Sequence, residues 1–243
     1  MFFPIGDTQV EGGHKPIVSY TLIAINLAVF ILQFITPGNL VCEFAAIPKN
    51  ILNGTAMYTL FSSLFLHGSW MHLAGNMLFL WVFADNIEAR VGSIPFLIFY
   101  ISGGILASVA HIYFSVQGVS LDMITCELCK TPIPCLDNDN PHASVVPTLG
   151  ASGAISAVMG AYLLMFPRSQ IKVLILIFFR SFYMPAILFL LLWFGQQLIS
   201  GIGSLGPAAA AGTGVAWWAH IGGFVFGLLA GLFFISQGYH KDE

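Results

Sequence analysis

Charge is what this chain has least of. Asp, Glu, Lys and Arg make up 8% of its 243 residues, where a soluble domain carries about a quarter. With a mean hydropathy of +0.86, that excludes a soluble globular protein and points to one integral membrane domain. Basic clusters are absent and the net charge is -3, which argues against nucleic acid as a partner and leaves no lipid-headgroup patch. The chain shows no internal repeat and no pair of broken helices, which argues against a transporter, or a metal carrier built on His67, His72, His220 and the cysteines. The first apolar run lacks a small-residue cleavage site, so it reads as a retained helix and not as a cleaved signal peptide.

What the chain does have is apolar runs. Six can be drawn, at 16–36, 69–88, 93–116, 152–166, 182–201 and 216–236. The expected fold is all-α: a polytopic membrane protein with a six-transmembrane-helix bundle over 16–236. A short segment (1–15) precedes it and a tail (237–243) follows. The fourth run is short for a span of about 20 residues and stops at Phe166-Pro167, where proline cannot continue a helix. A helix opening at Ser152 therefore starts inside the bilayer. That is tolerated only where protein or a water-filled cavity covers the loop before it. With the N-terminus inside, Lys15, Arg90, Arg168, Lys172, Arg180 and Lys241 are cytoplasmic, and Lys49 and Lys130 are outside. This bias predicts that both termini are cytoplasmic. Two long outer loops result. Residues 37–68 are semi-apolar and fit the membrane interface, and residues 117–149 are polar.

Cys42, Cys126, Cys129 and Cys135 all fall on the predicted outer side. Thiols there are expected to be oxidised, and four cysteines allow three pairings. The competing reading is a metal site from Cys126, Cys129, Cys135 and His142.

Polar residues inside an apolar chain are costly and need a partner or a task. His72 and Asn76 lie four apart at the start of the second run, so they share a helical face. Both donate hydrogen bonds, and two donors aimed at one point can hold a developing oxyanion. Ser152 stands between Gly150 and Gly153, which allow a tight turn and close approach of a substrate backbone. Its own N–H, at a helix start, has no internal partner. A serine hydroxyl needs an adjacent base, and His220 is the candidate. Gly223, Gly227 and Gly231 form a small-residue strip on the His220 helix, and Gly153, Ala157 and Ala161 form a matching one. Such strips let membrane helices pack closely. The pairing predicts His220 beside Ser152, as a dyad, since no aspartate is near His220 in sequence. Each piece has a bland alternative. A lone membrane serine commonly bonds a backbone carbonyl, a glycine strip is commonly plain packing, Asn76 can be interhelical glue, and His67 can cap its helix. His111 receives no role.

These stretches resemble the rhomboid intramembrane serine proteases. The likeness rests on His67-Gly68-Ser69-Trp70-Met71-His72-Leu73-Ala74-Gly75-Asn76-Met77, Glu88-Ala89-Arg90, Gly150-Ala151-Ser152-Gly153 and Ala219-His220-Ile221-Gly222-Gly223. The resemblance implies a serine endopeptidase without cofactor or metal. Ser152 would be the nucleophile, His220 the base, and His72 and Asn76 the oxyanion-hole side chains. Glu88 and Arg90 would be a structural pair tying helices together, with Gly150, Gly153, Gly223 and Gly227 structural. The run 182–201 and the loop 202–215 would gate entry of transmembrane protein substrates from the lipid bilayer. The compact six-helix core suggests a bacterial inner membrane. The chain departs from the family at Tyr58-Thr59, where many members have Trp-Arg, and at Ser156, where some have a tyrosine packed on the base. Its loop 117–149 is also longer than usual. The alternative is a catalytically inactive relative that binds membrane clients.

Overall fold

The computed structural model describes residues 2–8, 13–36, 40–115, 148–175, 179–205 and 215–239. Nine helices and three strands are described: β1 (Phe2–Gly6), α1 (Ile17–Ile35), α2 (Leu40–Phe44), α3 (Pro48–Leu52), α4 (Thr59–Ser62), α5 (Trp70–Val91), α6 (Ser93–Ser115), α7 (Ser152–Met165), β2 (Gln170–Ile175), β3 (Arg180–Pro185), α8 (Ala186–Gly203) and α9 (Trp217–Ser236). The six apolar runs become α1 and α5 to α9. Of these, α1, α6, α8 and α9 are long and apolar enough to cross a membrane. The protein is an integral membrane helical bundle.

α7 sits at its centre. Gly153 to Leu163 and Met165 are all buried, as expected of a helix walled in by others. Close approach requires small residues, and they stand at each crossing. A Cβ on Gly227 would lie 2.0 Å from the Ala157 carbonyl oxygen, and one on Gly223 would lie 2.2 Å from that of Gly153. Further along, one on Gly231 would lie 3.0 Å from the Ala161 Cα. The two small-residue strips therefore meet, backbone against backbone. On the other flank, a Cβ on Gly103 would lie 2.6 Å from the Ala157 Cβ, and one on Gly153 would lie 2.6 Å from the Ala107 Cβ. This clamps α7 between α6 and α9.

At 14 residues, α7 is about 21 Å long, against about 30 Å of hydrocarbon. Its C-terminal end leads into Pro167 and Arg168, a charged surface position. The Ser152 end must therefore stop within the apolar layer. The backbone leading to it is held by protein: Gly150 N–H donates to the Ser63 carbonyl at 2.9 Å, and Thr148 and Ala46 exchange bonds at 2.8 and 3.0 Å. The loop 40–65 folds inward in short turns, with Leu60 and Leu64 buried.

At the opposite end, Glu88 collects donors that would otherwise be orphaned. It accepts from Val18 N–H (2.9 Å), Ser19 N–H (2.7 Å) and Ser19 Oγ (2.7 Å), and from Ser93 Oγ (2.5 Å). A carboxylate at a helix N-terminus satisfies free N–H groups and the helix dipole, so Glu88 joins the starts of α1 and α6 to α5. Arg90, its expected companion, has a buried Nε without a hydrogen-bond partner among the described residues.

One boundary differs from the sequence expectation, and the segment 1–15 carries a strand. Phe2–Gly6 forms an edge strand on β2, and β2 pairs with β3, all antiparallel. The helix expected from 182 begins at Ala186, because Pro185 disfavours helical backbone at the residue before it and Arg180–Pro185 pairs as a strand. Beyond the strand, Asp7 accepts from Asn86 Nδ2 (2.6 Å) and from the Tyr162 hydroxyl, which docks the N-terminal segment on α5 and α7.

Gly227→Val meets backbone that cannot yield and should cost about 3 kcal/mol or more. Gly195→Ala, with nothing near its Cβ, should be neutral or gain up to about 1 kcal/mol. Thermal unfolding in detergent reads both, and equal midpoints would refute the clamp. Glu88→Gln places an amide donor among donors and should destabilise by about 2 kcal/mol. An unchanged midpoint would remove Glu88 from that role.

Candidate active site

The start of α5 is set by Ser69. Its backbone is extended (φ -161°, ψ 162°), and its Oγ accepts the His72 N–H at 3.1 Å, an ordinary N-cap. Capping thus belongs to Ser69 and not to His67. His67 is buried, packs edge-on to Phe30 (6.4 Å) and His72 (5.2 Å), and has no hydrogen-bond partner on either ring nitrogen among the described residues. Burial, with His72 adding to it, pushes its pKa down to about 4, so it is neutral at physiological pH. Gln33 holds the His67 backbone, accepting its N–H at 3.1 Å and donating to its carbonyl at 3.0 Å.

One turn into α5, the imidazole of His72 is oriented. Gly68 N–H donates to His72 Nδ1 at 3.4 Å. Nδ1 is then the acceptor, and the proton sits on Nε2. Nε2 points at Gly150: a Cβ there would lie 2.8 Å from it and 3.5 Å from Asn76 Nδ2. Asn76 Nδ2 is buried and has no partner among the described residues. Gly150 has φ +117°, a conformation open to glycine, and a side chain would also strike the imidazole. Two N–H donors, one of them unspent, therefore flank the turn that leads into Ser152.

Ser152 opens α7 half-buried. Its carbonyl accepts from Ser156 Oγ at 2.7 Å. Ser156, where some rhomboids carry a tyrosine against the base, is therefore turned back on its own helix. The Ser152 hydroxyl has no hydrogen-bond partner among the described residues, and it makes no bond to His220. The helix crossing brings the residues that follow Ser152 and precede His220 together: a Cβ on Gly153 would lie 3.9 Å from the Ala219 Cβ. His220 is held from α8 instead. Its Nδ1 lies 2.8 Å from Gln197 Oε1. Trp193, one turn earlier, lies 5.9 Å from the imidazole in a tilted arrangement, and Trp217 lies edge-on at 6.3 Å. Sequence reading missed Gln33, Trp193 and Gln197. The i, i+4 spacing of Trp193 and Gln197 was the available signal, since it places both on one face of α8.

Other expected residues fall elsewhere. Cys42, in α2, is disulfide-bonded. Cys126, Cys129, Cys135 and His142 lie outside the described residues, as do most of the loop 117–149 and positions 206–214. Among the described residues, no group of three or more His, Cys, Asp or Glu is placed to hold a metal ion.

Comparison with known proteins shows the family. The rhomboid domain model matches residues 54–237. Rhomboid protein 1, mitochondrial, of Saccharomyces cerevisiae is 26% identical over 95% of this chain and 56% of its own length. Rhomboid protease GluP of Bacillus subtilis is 29% identical over 61% of the chain and 24% of its own length. Presenilin-associated rhomboid-like protein A, mitochondrial, of Danio rerio is 26% identical over 68% and 34%. The chain thus spans about half the length of the yeast relative and less of the other two. With the match running from the segment before α5 to the end of α9, this chain belongs to the rhomboid family.

Proposed function

We propose that the protein is a serine endopeptidase that cleaves transmembrane segments of other membrane proteins, using Ser152 as nucleophile and His220 as general base. The observation that carries this reading is a pair of donors, one of them unspent. His72 Nε2 and Asn76 Nδ2 flank Gly150, and Asn76 Nδ2 is buried without a partner among the described residues. An unsatisfied buried donor is costly and is kept where a ligand completes it.

In the proposed reaction Ser152 Oγ attacks the scissile carbonyl carbon while His220 Nε2 takes the hydroxyl proton. Charge moves to the carbonyl oxygen, where His72, Asn76 and the Ser152 N–H receive it. Collapse breaks the C–N bond, and the imidazolium returns its proton to the leaving amine. Water, deprotonated by His220, then hydrolyses the acyl-enzyme. Substrate enters past α8, which fully buries Ala186, Phe189, Leu190, Gln197 and Gly201 and leaves Ile187, Leu188, Leu191, Leu192, Ile199 and Ile202 exposed. Arg90, Arg168, Lys172 and Arg180 gather at the Glu88 and sheet end, so that end is assigned to the cytoplasm and the site to the outer half. The bacterial inner membrane is the proposed setting. GluP carries the word protease in its name, and that activity is extended here to this chain.

The competing reading is a client-binding relative without catalysis, and the unbonded Ser152 hydroxyl is what favours it. Cleavage of a model transmembrane substrate in vesicles separates the two. Ser152→Ala and His220→Ala should each abolish cleavage with an unchanged melting midpoint. Asn76→Ala should lower it by about 100-fold. Cleavage by Ser152→Ala at the wild-type rate would reject the protease mechanism, and no cleavage by folded wild-type protein would favour the client binder.

A further inference from the structure

Resting on the reading of His220 as the base, we propose that Gln197 is a positioning residue that fixes the His220 tautomer. The argument begins with the amide. Gln197 Nε2 donates to Gln196 Oε1 at 2.7 Å and to the Trp193 carbonyl at 3.4 Å. A backbone carbonyl can only accept, so the NH2 end of the amide faces Trp193. The Oε1 end then faces His220 Nδ1 at 2.8 Å, and only an Nδ1–H can satisfy it. In the neutral imidazole the other nitrogen, Nε2, is left with its lone pair. That is the nitrogen a base must offer to a serine hydroxyl.

Gln197 is 3% exposed, so the bond is shielded from competing water. A buried glutamine on an otherwise lipid-facing helix is costly without such a partner. The role filled by a carboxylate in many serine hydrolases thus falls here to a neutral amide. This suits a site in which an uncompensated carboxylate would be expensive. The position also has a structural consequence. Gln197 belongs to α8 and His220 to α9, so the tautomer is set only while α8 is seated. Among the described residues, the titratable groups near enough to act on the charge of His220 are His72 from α5 and His111 from α6. α7 contributes the neutral Ser152 and Ser156 to this face, and α8 contributes Gln197 and Trp193.

Labelling with a fluorophosphonate tests this. Ser152 Oγ displaces fluoride at phosphorus while His220 Nε2 takes the proton. Wild-type protein, Ser152→Ala, Gln197→Leu and Gln197→Glu are labelled across about pH 5 to about pH 9, bracketing histidine titration, with melting midpoints measured alongside. Wild-type should label and Ser152→Ala should not. Gln197→Leu frees the ring to hold its proton on Nε2 and should label about 10-fold to about 100-fold more slowly at neutral pH. Gln197→Glu keeps the acceptor and adds charge. It should label with its rate-against-pH midpoint raised by about one unit or more, a change that loss of packing alone would not produce. Wild-type rate in folded Gln197→Leu, or a wild-type midpoint in Gln197→Glu, overturns the role of Gln197 and leaves the serine reading intact. If Gln197→Leu does not fold, the midpoint of Gln197→Glu decides. Failure of folded wild-type protein to label overturns the serine reading, and the role of Gln197 with it.

Discussion

The backbone contact between α7 and α9 is the constraint on which the rest depends. Gly223 against Gly153 and Gly227 against Ala157 leave no room for a Cβ. In a membrane, where apolar side chains gain little by leaving lipid for protein, such close packing is what holds helices together. It also draws a helix too short to span into the middle of the bundle. Once α7 is there, its Ser152 end stops short of the edge of the apolar layer, and the loop before it must find its hydrogen bonds within the protein. Ser63 and Ala46 provide them.

Polar groups in this chain divide into those that are satisfied and those that are not. Glu88 accepts four hydrogen bonds at the starts of α1 and α6. Asp7, Asn86, Tyr162 and Ser169 bond one another. The Glu88 end is a network with a structural function, in which Arg90 Nε alone of the named groups lacks a partner among the described residues. At the Ser152 end, Asn76 Nδ2 and both nitrogens of His67 are buried without partners among the described residues, and the Ser152 hydroxyl is unbonded among them. Asn76 Nδ2 flanks the turn into Ser152, whereas Asn26 Oδ1 on α1, Tyr100 Oη on α6 and Trp218 Nε1 on α9 are unpartnered away from that turn. Departures from local consistency concentrate at functional sites.

Much of this was legible in the sequence because it follows from local pattern. Apolar runs predicted the helices, and Phe166-Pro167 predicted the end of α7. Spacings of four placed Gly223, Gly227 and Gly231 on one strip. What escaped depends on contacts distant in sequence. Phe2 pairs with Ile175, and a strand of five residues with a proline in it carries no local signature of that pairing. Glu88 read as a tie between helices, but its service as the N-cap of α1 crosses seventy residues. Gln197 looks like any polar residue in an apolar run, and only the crossing of α8 and α9 sets it against His220.

The claim that an activated serine lies at the buried start of α7 is tested most directly by mass spectrometry of the fluorophosphonate-treated, folded protein. The account predicts one phosphonyl adduct, on the peptide bearing Ser152, and none on the peptides bearing Ser63, Ser69 or Ser156. An unmodified Ser152, or an adduct spread over several serines, would contradict it.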